Sequence, residues 1–486
     1  MKTMFTSRPI RPRKRSAARG SLLSLLLISL EFATAGAETP AVHGYYMDEP
    51  IFDAQVYVEE AGRQHPKSIV LVHGLGTRAA RTWARLIPLL ATDYHIVAVD
   101  LPGFGHSSKG NKLYSPDNYT RFLDYLVTRT VNTPYMLVGH SMGGNVAIDY
   151  AIQHPGRFQR LVLVDAAGVL HRFAYSQYLA HFGIAHIPEF YPAQRSDLRK
   201  FTSELLESLS LKSKWMSQAE ATILENPTLR QSLLQGDPNT IAGYAMAMAD
   251  YSGQLKQIKQ PTLILWGEQD EVAPLRTGKL LARQLPNAAL VTLANAGHSP
   301  MDDRPQQFAT WLERFADADA QQLQTLLSEY AYTLPKIVSQ TVSDSIRCDN
   351  RRGMHIRGHY RQVRITHCQD VTVSSLSARS LIVTDSTVTL ENCRLQTPQT
   401  ALQVSNSRLT ITACQIHGEP AMALKDSELD IAGSQLSGGN YAIREQDNDA
   451  SAHHGSRIVF SVSHVNSRYL DKSLHGAMEL QPGEGL

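Results

Sequence analysis

Ser141 sits between two glycines in the run Leu137-Val138-Gly139-His140-Ser141-Met142-Gly143-Gly144, straight after a short apolar segment. In a G-x-S-x-G turn the chain reverses sharply from strand to helix. Only residues without a Cβ fit beside the strained serine, so its hydroxyl stands clear of the sheet edge. That placement makes Ser141 the candidate nucleophile. Five residues with two glycines recur by chance in many chains, so the flanks decide. Residues 135–138 read as a buried strand, and residues 145–150 carry apolar positions at helical spacing.

A serine hydroxyl is a poor nucleophile at neutral pH until a base takes its proton, and imidazole has the pKa for that task. The chain has 19 histidines, so position must select one. His298 follows the apolar run 289–293 in Ala296-Gly297-His298-Ser299-Pro300 and is the candidate base. The carboxylate that orients it is sought between the two, in the chain order Ser, acid, His. Asp270 qualifies, in the loop Gly267-Glu268-Gln269-Asp270 after the apolar run 261–266. Asp165, closing the run 161–164, is the rival; chain order and loop position favour Asp270. These residues all lie just past predicted strand ends, where parallel α/β sheets place their ligands.

Acyl transfer also needs fixed donors for an oxyanion. The N–H of Met142, directly after the nucleophile, supplies one. The other is expected from the loop after an earlier strand, and residues 68–72 followed by His73-Gly74-Leu75-Gly76 nominate Leu75. His140, inside the turn itself, is expected to point away from the reacting face and to serve structure.

Residues 57–315 resemble the α/β-hydrolases of the esterase and lipase group. The likeness is carried by His73-Gly74-Leu75-Gly76, by Val99-Asp100-Leu101-Pro102-Gly103-Phe104-Gly105-His106-Ser107, by the turn around Ser141, and by the loops holding Asp270 and His298. The resemblance implies an α/β-hydrolase sheet with a helical lid, a Ser141–Asp270–His298 triad and no metal or organic cofactor. It implies an esterase, lipase, thioesterase, lactonase or carbon-carbon bond hydrolase. Relatives with aspartate at the nucleophile position, such as haloalkane dehalogenases and epoxide hydrolases, are disfavoured by the serine here.

The stretch between Asp165 and Pro261 is far longer than a simple crossover needs and predicts a lid at about residues 168–255. Its aromatic residues Phe173, Tyr175, Tyr178, Phe182, Phe190 and Tyr191 precede helical stretches at 205–211 and 241–248. Each is more readily a lid-core residue than a pocket wall. Together they favour an apolar acyl or aromatic substrate over a sugar or a highly charged one.

The first nineteen residues hold seven Lys or Arg and no acid, and residues 22–30 follow as a short apolar run. This is the pattern of a secretory signal, with Ala35 and Ala37 setting cleavage before Glu38. An uncleaved anchor is the alternative, although the run is short for a bilayer. Removing residues 1–37 takes Lys plus Arg from 47 to 40 and Asp plus Glu from 45 to 44, a net charge of −4. The basic excess thus leaves with the signal, which argues against nucleic acid or an anionic membrane as partner. No transmembrane span is expected after signal removal, and the predicted location is exported, periplasmic or secreted.

Residues 321–341 read as a helical linker, and from 342 onward helical spacing gives way to a repeat of about twenty residues. Val388-x-Leu390-x-x-Cys393, Leu409-x-Ile411-x-x-Cys414 and Leu429-x-Ile431-x-x-Ser434 show its inner pattern. Alternating apolar residues at a fixed interval are what stacked coils of a right-handed parallel β-helix need. A Greek-key sandwich has no reason to repeat its sequence this way. All four cysteines, Cys348, Cys368, Cys393 and Cys414, fall in this region, where serine takes their place in later repeats. They read as small buried residues, with Cys348–Cys368 and Cys393–Cys414 as candidate disulfides if coils bring them together. Their spacing does not suit a metal.

The reading is therefore an exported α/β-hydrolase, residues 38–320, cleaving a small-molecule or lipid-like carboxylic ester, joined to an all-β repeat domain, residues 342–486. The repeats are expected to bind a polysaccharide or protein partner, or to act as a spacer. The rivals are a polysaccharide O-acyl esterase whose substrate the repeats hold, and a catalytically silent binding protein.

Overall fold

The computed structural model describes residues 40–131, 134–172, 174, 221–336, 343–446 and 455–486. The predicted signal, the aromatic residues of the predicted lid and its stretch 205–211 lie outside them.

Eight strands form the first sheet: β1 (His43–Glu49), β2 (Ala54–Ala61), β3 (Ser68–Val72), β4 (His95–Val99), β5 (Tyr135–His140), β6 (Arg160–Val164), β7 (Thr262–Gly267) and β8 (Ala288–Leu293). Their order is β1-β2-β4-β3-β5-β6-β7-β8. Strands β3 to β8 pair in parallel, while β1–β2 and β2–β4 are antiparallel. Every residue of β3, β4, β5 and β7 is buried, which is why these segments read as unbroken apolar runs rather than as alternation. Successive side chains still serve opposite faces. Val70, Val72, Val97, Val99 and Leu137 join one core, with the helices Pro116–Thr130 and Met142–Gln153. Ile69, Leu71, Ile96, Ala98 and Val138 join the other, with Trp83, Phe308, Leu312 and Phe315. The predicted helix 241–248 is found as Pro238–Ala247, and the predicted linker helix as Ala320–Glu329, started by a capping box of Asp319 and Gln322.

Past residue 343 the chain is all-β, and its strands pair mostly in parallel. The strands are β9 (Ser343–Asp349), β10 (His355–Thr366), β11 (Val371–Thr384), β12 (Thr387–Glu391), β13 (Arg394–Gln396), β14 (Leu402–Ser405) and β15 (Arg408–Thr412). They continue as β16 (Gln415–His417), β17 (Met422–Lys425), β18 (Glu428–Ala432), β19 (Gln435–Ser437), β20 (Ile443–Glu445), β21 (Arg457–Asn466) and β22 (Asp471–Glu479). Equivalent repeat positions stand side by side, with Val388 beside Leu409, Leu409 beside Leu429, and Leu429 beside Ile458. The second and third ladders run β13-β16-β19 and β14-β17-β20. The last strand, β22, is antiparallel to β21.

The corners explain the Cys/Ser equivalence. Asp385, Asn406 and Asp426 adopt φ of 48°, 48° and 45°, a left-handed conformation that Asn and Asp tolerate best after glycine. Each is followed by a buried serine, and along this line a serine hydroxyl receives the backbone N–H of the preceding repeat: Cys368 to Ser386 (2.9 Å), Ser386 to Ser407 (3.0 Å), Ser407 to Ser427 (3.2 Å) and Ser427 to Ser456 (3.0 Å). A second ladder, after left-handed Asn392, Ala413 and Gly433, runs from Cys393 to Cys414 Sγ (3.3 Å), Cys414 to Ser434 (3.0 Å) and Ser434 to Ser463 (3.2 Å). These bonds satisfy interior N–H groups that the strand ladders leave over. Cys348 and Cys368 form a disulfide, whereas Cys393 and Cys414, the other candidate pair, are thiols, in the role the later repeats give to serine.

The repeat region packs directly on the neighbours of the first sheet, and Ala432 and Val462 belong to the same buried cluster as Val70 and Trp266. Its partner is the helix Leu275–Gln284, which begins five residues after Asp270. Arg276 donates to Asp430 Oδ1 (2.9 Å), to Thr412 Oγ1 (2.7 Å) and to the carbonyl of Ile411 (3.3 Å), and its second terminal nitrogen pairs with Asp430 Oδ2. Lys279 pairs with Glu391 at 2.6 Å. The Arg276 and Asp430 side chains are only 16% and 11% exposed, so deleting one strands the other in a poorly hydrated contact. Arg276→Ala is expected to destabilise the full chain by about 3 kcal/mol. Arg276→Met combined with Asp430→Leu should recover most of that loss in urea or thermal denaturation, and an equal loss in both variants would contradict this account.

Candidate active site

The residues selected from the sequence converge at the carboxyl ends of β5, β7 and β8. Ser141 caps the helix Met142–Gln153 with φ 53° and ψ −117°, the strained corner a nucleophile turn requires. Close approach of backbone makes that corner glycine-dependent: a Cβ on Gly143 would lie 2.2 Å from the carbonyl oxygen of Val72. Ser141 Oγ lies 3.0 Å from His298 Nε2, and His298 Nδ1 lies 2.8 Å from Asp270 Oδ2. Asp270 Oδ1 in turn accepts the N–H groups of Val272 (2.8 Å) and Ala273 (2.9 Å), which fixes the carboxylate to its own loop. With Nδ1–H donating to Asp270, Nε2 is left as the acceptor for the serine proton. The Asp270 side chain is fully buried and the His298 side chain 21% exposed, so the carboxylate is dry and the imidazole reachable.

The loop His73-Gly74-Leu75-Gly76 lies against the turn, as a Cβ on Gly74 would come within 2.7 Å of Ser141 Cβ. His73 holds it there: Nδ1–H donates to the Gly74 carbonyl (2.6 Å) and Nε2 accepts the N–H of Leu101 (2.9 Å). Burial pushes the His73 pKa down and keeps it in that neutral form. Met142 occupies the first position of its helix, where a backbone N–H has no intrahelical acceptor. The Gly74 contact thus sets the loop that carries Leu75 against the turn, and Met142 directly follows the serine.

Two positioning contacts were not legible in the sequence. Asn239, at the start of the helix Pro238–Ala247, accepts the Gly76 N–H at 2.8 Å and ties that helix to the loop 73–76. His140, the second, has its Nε2–H donating to the backbone carbonyl of His298 at 2.6 Å. Its ring lies 4.9 Å from that of His298 and 6.2 Å from that of Trp83. Burial, then the neighbouring His298, holds its pKa well below the usual histidine range. Neither contact has a spacing rule, because one partner in each is backbone from a distant loop.

Asp165, the rival acid, is also here, fully buried behind Asp270, with Oδ1 accepting the Gly267 N–H at 2.9 Å. Ligand atoms of His140, Asp165 and His298 lie within 4.8 Å of one another, so this trio has the donor types of a cation site. Both nitrogens of His298 and Nε2 of His140 are already engaged in hydrogen bonds. A small pocket of about 20 Å³ opens next to the turn, walled by Ala167, Gly168, Leu170, Met246, Ala273 and Pro274.

Residues 67–305 match the family described as alpha/beta hydrolase fold. The uncharacterized hydrolase YugF of Bacillus subtilis (strain 168) is 30% identical over 280 residues, which cover 54% of this chain and 93% of YugF. The chain belongs to the alpha/beta hydrolase fold family. This alpha/beta hydrolase is also 29% identical over 263 residues to a pimeloyl-[acyl-carrier protein] methyl ester esterase of Nitrosomonas europaea, covering 53% of this chain and 98% of that enzyme. Among solved structures, a serine hydrolase from the bacterium Cycloclasticus zankles is 24% identical, with a TM-score of 0.42, covering 57% of this alpha/beta hydrolase and 98% of that chain.

Proposed function

We propose that this alpha/beta hydrolase is an exported serine hydrolase that cleaves carboxylic esters through an acyl-enzyme intermediate. The observation that carries this reading is the continuous chain of hydrogen bonds from Ser141 through His298 to Asp270, at 3.0 and 2.8 Å. His298 takes the Ser141 proton as Oγ attacks the ester carbonyl, and the carbonyl electron pair moves onto oxygen. The N–H groups of Leu75 and Met142 hold that oxyanion, and Asp270 stabilises the imidazolium. Collapse breaks the ester bond, with the proton passing from His298 to the departing alkoxide. Water, activated by His298, then repeats the sequence on the acyl-serine and frees the acid.

A methyl ester esterase among the relatives supports a small-molecule ester as the substrate class. The basic, then apolar, amino terminus supports export to the periplasm or beyond. Among the described residues no helix is long and apolar enough to cross a membrane. The in-register ladders of the repeat region support a right-handed parallel β-helix from about residue 342, and its docking on the helix Leu275–Gln284 makes it a brace for the acid loop. A series of p-nitrophenyl esters of increasing acyl length tests the reading. Saturable turnover with a preferred length is expected, and a wild-type rate no higher than that of buffer across the series would overturn it.

A further inference from the structure

Two strand ends, rather than one, deliver a carboxyl group to His298. Asp165 closes β6 in a left-handed conformation, φ 42°, and is fully buried. Its Oδ1 accepts the Gly267 N–H at 2.9 Å. Its Oδ2 meets no donor among the described residues, and the group it faces is the carboxyl of Asp270. Asp270 is equipped as an anion, accepting N–H groups from Val272, Ala273 and His298. Two carboxylates in contact in a dry site cannot both be charged, so one proton lies between them. Asp270 has three donors and Asp165 one, so the charge settles on Asp270 and the proton on Asp165.

We propose that Asp165 is a positioning residue, a neutral carboxylic acid that donates its proton to Asp270, fixes that carboxylate toward His298 and draws off part of its charge. The proposal rests on the serine-hydrolase reading for its kinetic consequence alone. Burial first, and then the Asp270 charge, hold the Asp165 carboxyl well above the usual aspartate range. The other titratable groups facing the pair are His298, His140 and Asp303, and His140 stays neutral through burial. Without the donated bond, Asp270 would carry its full charge toward His298 and make the imidazole more basic.

Asparagine at position 165 keeps an oxygen for Gly267 and an N–H for Asp270, whereas leucine keeps neither. Asp165→Leu is expected to lower kcat roughly 10- to 100-fold with KM little changed. The acidic limb of its kcat/KM profile moves to higher pH. Asp165→Asn restores both the rate and the limb. Stability gives a second readout. The folded chain keeps a proton that the unfolded chain releases above about pH 4, so wild-type stability falls as pH rises toward the raised folded value. Asparagine takes up no proton, so the Tm of Asp165→Asn gains on wild type as pH rises through that window.

Infrared spectroscopy of the full-length protein at pH 7 reads the proton itself, with or without turnover and without the leucine variant. A protonated-carboxyl carbonyl band is expected in wild type and in Ser141→Ala, and its loss in Asp165→Asn. Absence of that band, or an Asp165→Asn variant as impaired as Asp165→Leu, overturns the proposal. Lack of ester turnover in wild type with the band intact would instead refute the serine-hydrolase reading and leave the shared proton supported.

Discussion

Ser141→Ala is expected to lower ester turnover by roughly 10⁴- to 10⁶-fold, with no loss of thermal stability. The size follows from what is lost: no other hydroxyl stands within hydrogen-bond reach of His298 Nε2 among the described residues, so the covalent step has no substitute. Stability should hold because Ser141 makes its fold contacts through backbone. Its N–H donates to the Val164 carbonyl at 3.0 Å, and its own carbonyl accepts from Gly144 (3.0 Å) and Ala167 (3.1 Å). Alanine keeps these backbone bonds, and the Asn145 N–H still reaches the same carbonyl at 3.3 Å, while none of the strain at φ 53° is relieved. His298→Ala belongs to the same expectation, since nucleophile and base act as one unit and their losses do not add. Steady-state kinetics on a p-nitrophenyl ester, with Tm measured alongside, checks both. Turnover above a thousandth of wild type in either folded variant would remove that residue from its assigned role.

Asp270→Asn should cost roughly 10³- to 10⁴-fold in kcat, again in a folded protein. The amide oxygen can still accept from Val272 and Ala273, so the loop keeps its shape. The amide nitrogen then faces His298 Nδ1 as a donor, where the catalytic tautomer also needs to donate. The ring must either break that contact or carry its proton on Nε2, and in the second form it cannot take the serine proton. Asp165→Asn should leave kcat near wild type, because it preserves both hydrogen bonds. The reverse pattern, a silent Asp270→Asn and a crippled Asp165→Asn, would move the acid to the end of β6.

The site was readable in the sequence where chemistry and chain geometry coincide. Ser141, Asp270 and His298 each follow an apolar run within a few residues, and a parallel sheet brings such strand ends together. What stayed hidden depends on contacts that no local spacing encodes. Asn239 reaches back 163 positions to Gly76, and His140 bonds a carbonyl 158 positions away. The partnership of Asp165 and Asp270 was visible only as a competition between two acids. The structure places both in one pocket, where burial turns the competition into a shared proton.

The repeats divide the same way. Their period was plain because each repeat must bury apolar residues at the same place. The left-handed Asp and Asn corners, and the N–H bonds that make cysteine and serine equivalent, emerge only when successive repeats pair side by side. Docking on the helix Leu275–Gln284 had no signature at all: Arg276 and Asp430 are 154 positions apart and each reads alone as an ordinary surface charge. That contact places the repeats against the helix that follows the loop holding Asp270.

Intact-protein mass spectrometry after exposure to a fluorophosphonate tests the nucleophile most directly, since the reagent traps an activated serine without requiring the natural ester. A single adduct mapping to Ser141 is predicted, absent in Ser141→Ala and formed far more slowly in His298→Ala. An unmodified wild-type protein, or an adduct on any other residue, would contradict the assignment.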